Sequence, residues 1–332
     1  MNKILNYSLP KEFIAQYPLK EREKARLMIL NKIDGKITHD IFENIDKYLS
    51  EKDILVLNNT KVIPARILCK KETGGKIEIF LLKKLNGEKW NVLIRGKGRE
   101  GTKFYKEELE GKIIKRNDDG SFTVEFNTED NKEIIKYGEV PLPPYIKRKP
   151  EEVDKIYYQT VYAEKDGSIA APTAGLHFTE RIFEKLEKKG IKIVFITLHM
   201  GWYSIKVLKE GKTEKVPSEC FEITQETADI INEGKKEGKN IIAVGTGTVR
   251  CLEGGNENGI VVAKKGYTSL FIKPGFKFKI IDGMITNFHL PDSTHIYLVS
   301  ALTGTSLIKR AYEEAIRKKY RFYSYGDSML IL

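Results

Sequence analysis

The chain has 332 residues, with 57 Lys+Arg against 46 Asp+Glu for a net charge of +11, and is 41% hydrophobic and 31% charged. That balance excludes a disordered or fibrous chain and, at roughly 150 residues per domain, provides for about two domains with ample core. The amino terminus lacks a basic segment followed by an apolar stretch, and no apolar run approaches the ~20 residues that span a bilayer, so a cytoplasmic protein outside the membrane is expected.

Cys69, Cys220 and Cys251 are widely spaced and form no CxxC pair, which points to a reducing compartment and to neither a zinc site nor a disulfide framework. The basic excess favours a polyanionic partner through counterion release, although a Lys/Glu-rich surface serves solubility or heat adaptation equally well.

In chain order, the first sixty residues start with the Tyr7–Gln16 segment and reach the strand-like apolar run Asp53-Ile-Leu-Val-Leu-Asn58. From Ile67 to about Phe126 the pattern has period two, with strands expected at Lys76–Leu82, Trp90–Ile94 and Ser121–Phe126. Gly74-Gly75, Asn86-Gly87 and Asp119-Gly120 stand between them, and the last two dipeptides supply the positive φ of tight hairpins. This small all-β unit closes at Pro141-Leu-Pro-Pro-Tyr145, where proline withholds backbone donors from a sheet.

Beyond residue 155 helices and strands alternate. Thr179 is placed to cap a helix with Ile182, Phe183 and Leu186 on its apolar face and Gly190 at its end, and a buried strand follows at Ile191–Ile196. A helix from Thr224 to about Lys236, the strand Asn240–Val244 and the turn Gly245-Thr-Gly-Thr248 come next. Strands are expected at Ser269–Ile272 and Phe276–Ile281, and helices at Ser293–Leu302 and Ser306–Lys319. Because Ile54–Leu57 has no adequate sheet of its own, it is expected to join the later one. The fold class is therefore an α/β main domain with an inserted small all-β, barrel-like domain: residues 1–62 plus 150–332 around an insertion at 63–149.

Gly245-Thr-Gly-Thr-Val-Arg250 follows a strand and opens a helix, a place where amides and the helix dipole hold an anion or nucleoside. It lacks the third glycine of the dinucleotide fingerprint, and on pattern alone it reads as a structural turn ahead of an anion site. Arg250 near the helix start works against the dipole unless an anion is present. His177 lies in a stretch of small residues before a helix, His199 follows a buried strand, and His289 sits where a strand meets a loop, with His295 in the helix beyond. Each alone reads as an ordinary hydrogen-bonding histidine; His177, His199 and His289, at strand ends or ligand-type loops, together point to a shared cleft. No two have metal-ligand spacing. Asp327 and Glu253 are candidate bases that also read as a solvated turn and a helix end. Lys318-Lys319-Tyr320-Arg321-Phe322-Tyr323 has the composition for tRNA phosphates and base stacking, or for a helix end with a snorkelling basic face.

Seven blocks carry a resemblance: Tyr7–Gln16, Asn58–Arg66, Pro141–Ile146, Tyr158–Ala163, Ala170-Ala-Pro-Thr-Ala-Gly-Leu-His-Phe-Thr179, Ile285-Thr-Asn-Phe-His-Leu-Pro291 and Tyr320-Arg-Phe-Tyr-Ser-Tyr-Gly-Asp327. In this order they resemble the S-adenosylmethionine:tRNA ribosyltransferase-isomerases of queuosine biosynthesis. The resemblance implies that S-adenosylmethionine serves as ribosyl donor to 7-aminomethyl-7-deazaguanine at the anticodon wobble position of tRNA. It implies no metal and no second cofactor; a monomeric cytoplasmic enzyme is expected, with no obligate protein partner evident in the sequence. In such a site His177 and His289 are expected as base and acid, with Glu253 and Asp327 as alternates. Arg250 and Gly245, Thr246 and Thr248 are expected to hold the methionine carboxylate or ribose, and Thr173, Gly175, His199 and Asn287 to complete the substrate contacts.

Three stretches depart from the family pattern. Gly201-Trp-Tyr-Ser-Ile-Lys-Val207 replaces Gly-x-Gly-Thr-Phe-x-Pro, Val216-Pro-Ser-Glu219 replaces Met-His-x-Glu, and Gly247 and Thr248 replace Thr-Ser in the glycine turn. Trp202 and Tyr203 are thus expected to reshape the pocket, Pro217 stands where the family pattern has a histidine, and the Thr248 hydroxyl is expected to stand in for serine as a donor. The alternatives are an S-adenosylmethionine-dependent RNA methyltransferase and a non-catalytic RNA-binding protein that uses the β domain as its platform.

Overall fold

The computed structural model describes residues 7–201, 216, 218–291 and 293–332. A strand with no polar face must be covered on both faces, and Asp53–Asn58, buried at all six positions, lies inside a nine-stranded sheet. The sheet order is Lys264–Thr268, Glu219–Ile223, Lys192–Leu198, Asp53–Asn58, Asn240–Val244, Gly283–Asn287, Ser328–Ile331, Arg26–Leu30 and Ile37–Ile41. The four strands from Lys192–Leu198 to Gly283–Asn287 run parallel, so their carboxyl ends share one edge.

Alternate residues of the central strand serve opposite layers. Leu55 and Leu57 pack with Phe178, Ile182 and Leu186, whereas Ile54 and Val56 belong to the cluster of Ile231, Val249 and Leu252. The helices start where their caps stand: Thr179 for Glu180–Lys188, Thr224 for Gln225–Lys236 and Ser293 for Thr294–Thr303, each accepting an amide N–H of the first turn. Each such cap contributes about 1 kcal/mol. Gly190, at φ 74°, follows the first of these helices as a left-handed stop.

After Asn58 the chain enters a closed six-stranded barrel ordered Phe122–Phe126, Lys89–Arg95, Lys76–Lys84, Arg66–Lys71, Lys103–Lys106 and Leu109–Arg116. Period-two strands fill it with Ile67, Ile77, Ile79, Leu81, Val92, Phe104, Ile113 and Val124. A Cβ at Gly111 would lie 2.4 Å from the Phe104 ring, so only glycine lets that ring cross the interior. The exit is tied to the entry: Lys165–Ser168 pairs in parallel with Thr60–Val62.

Two expected strands are absent. Neither Ser269–Ile272 nor Phe276–Ile281 pairs in a sheet; the strands are Lys264–Thr268 and Gly283–Asn287. The amides of Lys279, Ile280 and Ile281 are taken by the Glu253 carboxylate at 3.0, 3.0 and 3.1 Å and are unavailable to a ladder. The barrel also holds three strands beyond those expected, Arg66–Lys71, Lys103–Lys106 and Leu109–Arg116, the last two turning through Glu107 at φ 54° without a glycine signal.

Candidate active site

The strand ends open on a cleft of about 860 Å³, including its mouth. Ala170–Ala174 forms one wall, held where the Ser168 hydroxyl donates to the Ala170 carbonyl at 2.7 Å and accepts the Met200 amide at 3.0 Å. Gly245–Thr248 forms the second wall, Thr286–Leu290 the third, and Tyr145, Tyr158, Tyr323 and Ser324 close the far side. Gly245 turns at φ 92° into the helix Thr246–Gly254, which has no side-chain cap, so its first-turn amides are offered to the cleft.

Of the expected residues, His289, Thr173, Gly245, Thr246, Thr248 and Asn287 line this space. His289 Nε2 lies 2.7 Å from the Thr286 hydroxyl, and burial together with His295 holds its pKa well below the ordinary histidine value. The Thr248 hydroxyl donates to its own helix at the Val244 carbonyl, 2.7 Å away, so it is not the free donor expected. Asn287 is 2% exposed and fully engaged: its amide donates to the Tyr323 carbonyl at 2.8 Å while its Oδ1 meets His177 Nε2 at 2.9 Å. It fixes the aromatic wall and couples it to His177.

The other expected residues stand outside the cleft. His177 is buried behind Asn287, where it lines a separate cavity of about 280 Å³ with Arg22 and Tyr325; burial lowers its pKa, partly offset by Asn287. His199 Nδ1 pairs with the Thr60 hydroxyl at 2.7 Å and packs on Gly167. At Gly175 a Cβ would lie 1.9 Å from the Tyr162 hydroxyl, so this glycine answers to packing. Glu253 is 7% exposed and occupied by its three amides. Asp327, 1% exposed, accepts the Arg26 amide at 3.0 Å, Arg26 Nε at 3.2 Å and the Arg321 amide at 2.7 Å, closing the carboxyl-terminal turn onto the strand Arg26–Leu30.

The anion that Arg250 requires is in the chain: its guanidinium pairs with Glu219, which is 3% exposed, and donates to the Leu270 carbonyl at 3.1 Å. Tyr320, Phe322 and Tyr323 are core residues, 1%, 0% and 6% exposed, so this run offers no aromatic platform for stacking bases. Trp202, Tyr203 and Pro217 lie outside the described residues. Among the described residues no cluster of three or more His, Cys, Asp or Glu is arranged to hold a metal, and no helix is long and apolar enough to cross a membrane.

The cleft also contains residues that sequence reasoning missed. The ring of His295 stacks on His289 with centroids 5.1 Å apart and planes 20° from parallel. Burial and Arg250 hold its pKa at about 4. Its signal was its place one residue inside a helix whose cap, Ser293, follows the His289 loop. Tyr323 sits at φ 71°, its buried hydroxyl without a hydrogen-bond partner, against Tyr145 at 4.4 Å between centroids. No pattern announced that backbone.

A cleft at the carboxyl ends of parallel strands, lined by two stacked imidazoles and an uncapped helix start, together with an inserted barrel, defines an α/β protein with its pocket at the strand ends. The chain belongs to the queuosine biosynthesis protein family, whose model matches residues 3–331. It is 51% identical to the S-adenosylmethionine:tRNA ribosyltransferase-isomerase of Thermoanaerobacter sp. (strain X514) over 98% of each chain, and 46% identical to the protein of that name from Aquifex aeolicus (strain VF5), again over 98% of each. Among solved structures it is similar to the crystal structure of an S-adenosylmethionine tRNA ribosyltransferase from Thermotoga maritima, with a TM-score of 0.58 and 35% identity, covering 99% of this chain and 100% of that one.

Proposed function

We propose that this protein transfers and isomerises the ribosyl group of S-adenosylmethionine onto 7-aminomethyl-7-deazaguanine in tRNA, yielding epoxyqueuosine-tRNA, adenine and methionine. The observation that carries the reading is the family match over essentially the whole chain, on relatives that bear this activity in their names. Neither the methyltransferase nor the binding-protein alternative is favoured by those relatives.

The chemistry asks for a base at the ribose 5′ carbon, which the adjacent sulfonium acidifies, and for an acid where adenine departs; the acceptor amine then attacks, and epoxide closure expels methionine. The cleft supports this with neutral imidazoles, of which His289 is the one the sequence singled out. The first-turn amides at Thr246–Thr248 hold the methionine carboxylate or a ribose hydroxyl, and Thr173 adds a neutral hydrogen bond. Arg250 acts from behind this wall, paired with Glu219. The acceptor is the anticodon arm of tRNA, drawn by the net charge of +11, and the protein works in the cytoplasm as a monomer without metal or second cofactor. Residues 63–149 form a separate inserted domain. The test is product analysis after incubation with S-adenosylmethionine and tRNA bearing the deazaguanine amine: adenine and methionine are expected, and S-adenosylhomocysteine in their place would sink the reading.

A further inference from the structure

We infer that His295 is the residue that takes the proton from the ribose 5′ carbon, with His289 as its positioning partner; the inference rests on the ribosyl-transfer reading above. Both rings line the cleft and lie nearly parallel, but they are not equivalent. His289 is tied at both levels: Nε2 meets the Thr286 hydroxyl, its amide donates to the Tyr312 hydroxyl at 2.9 Å, and its carbonyl accepts from Tyr7. Among the described residues His295 has no hydrogen-bond partner, and burial and Arg250 are the influences on its protonation. It stands in the first turn of Thr294–Thr303, where the positive helix end also disfavours a charged ring. A neutral ring with an uncommitted nitrogen, held in place by the imidazole stacked against it, is what a base beside a sulfonium requires, since a charged one would repel the substrate.

The step balances. The 5′ C–H bond breaks, its electron pair stays on the carbon beside the sulfonium, and the proton goes to His295. The C1′–N bond then breaks with its electron pair leaving on adenine, a lone pair of the ring oxygen fills in at C1′ until the acceptor amine bonds there, and the imidazolium gives its proton to the departing adenine nitrogen and is neutral again. No oxidant, reductant or metal enters.

Single-turnover adenine release from S-adenosylmethionine and the amine-bearing tRNA is measured for the full chain, His295→Gln, His295→Ala and His289→Gln, with thermal unfolding in parallel. Folded His295→Gln is expected to lose at least about 100-fold in rate at saturating substrate, with KM for S-adenosylmethionine within about threefold. Added imidazole is expected to restore at least about tenfold in His295→Ala, which opens space for it, and to leave His289→Gln unmoved. A rate within about threefold of the unaltered protein, a loss confined to KM, or no imidazole rescue in folded His295→Ala overturns the assignment. Absence of adenine release by the unaltered protein overturns the ribosyl-transfer reading itself, and the two failures are thereby distinct.

Discussion

Replacing Glu253 by glutamine separates a catalytic role from an architectural one. The carboxylate receives three amides, Oε1 from Ile280 and Ile281 and Oε2 from Lys279, at 3.0 to 3.1 Å. Glutamine keeps one oxygen, so one amide is left facing an NH₂ group, and the other two lose a charge-assisted acceptor. A lost charge-assisted bond in a buried place costs about 2–3 kcal/mol. With unfolding entropy near 2.1 cal/mol/K per residue, a chain of 332 residues then loses roughly 3–4 °C in Tm. Glu253→Ala, which orphans all three amides, loses more. Calorimetry and adenine release are measured on the same preparations. The expected outcome is a lowered Tm with an adenine release rate within about threefold of the unaltered protein. An unchanged Tm with a 100-fold slower reaction would refute the reasoning and return Glu253 to the chemistry.

Three other outcomes follow from the same geometry. Gly175→Ala forces a methyl group against the Tyr162 hydroxyl, 1.9 Å from the added carbon, and is expected to cost about 1–3 kcal/mol. Tyr162→Phe should recover part of it, and alone should stabilise by about 1 kcal/mol because that buried hydroxyl has no partner; denaturant titration of the two single variants and the pair checks both. Asp327→Asn loses its bonds to Arg26 and Arg321 and is expected to lower stability by about 2–4 kcal/mol, read from the urea midpoint. The His295 pKa is lowered from 6.5 to about 4, so between those values the unfolded chain binds more protons, and stability present at neutral pH is lost as pH falls. For this group the loss by about pH 5 is roughly 2 kcal/mol; His295→Gln should therefore lose that much less between about pH 8 and pH 5, and an equal loss in both proteins would contradict the assignment.

What the sequence disclosed divides along a physical line. Asp53–Asn58 and Asn240–Val244 were legible to the residue because a fully buried strand needs an unbroken apolar run, and the barrel was legible through its period-two strands and the glycines at its tight turns. The stretch Phe276–Ile281 carried the same alternation and is no strand, because its amides are claimed by a carboxylate more than twenty residues away. Local pattern does not register such a claim. The same holds for the site. Gly245 and His289 were found because turn and strand-end positions are written locally. Arg250 was assigned to substrate because its partner, Glu219, lies on another strand. Glu253 and Asp327 had the right chemistry for a base, but both are buried in backbone contacts. His295 was passed over because only the fold turns its helix toward the ring of His289.

The central claim is tested most directly by mass spectrometry of tRNA carrying 7-aminomethyl-7-deazaguanine after incubation with this protein and S-adenosylmethionine. The modified nucleoside is expected to gain an epoxycyclopentane-diol group as adenine and methionine appear. An unchanged nucleoside, with the protein folded and S-adenosylmethionine intact or turned over to S-adenosylhomocysteine, would contradict it.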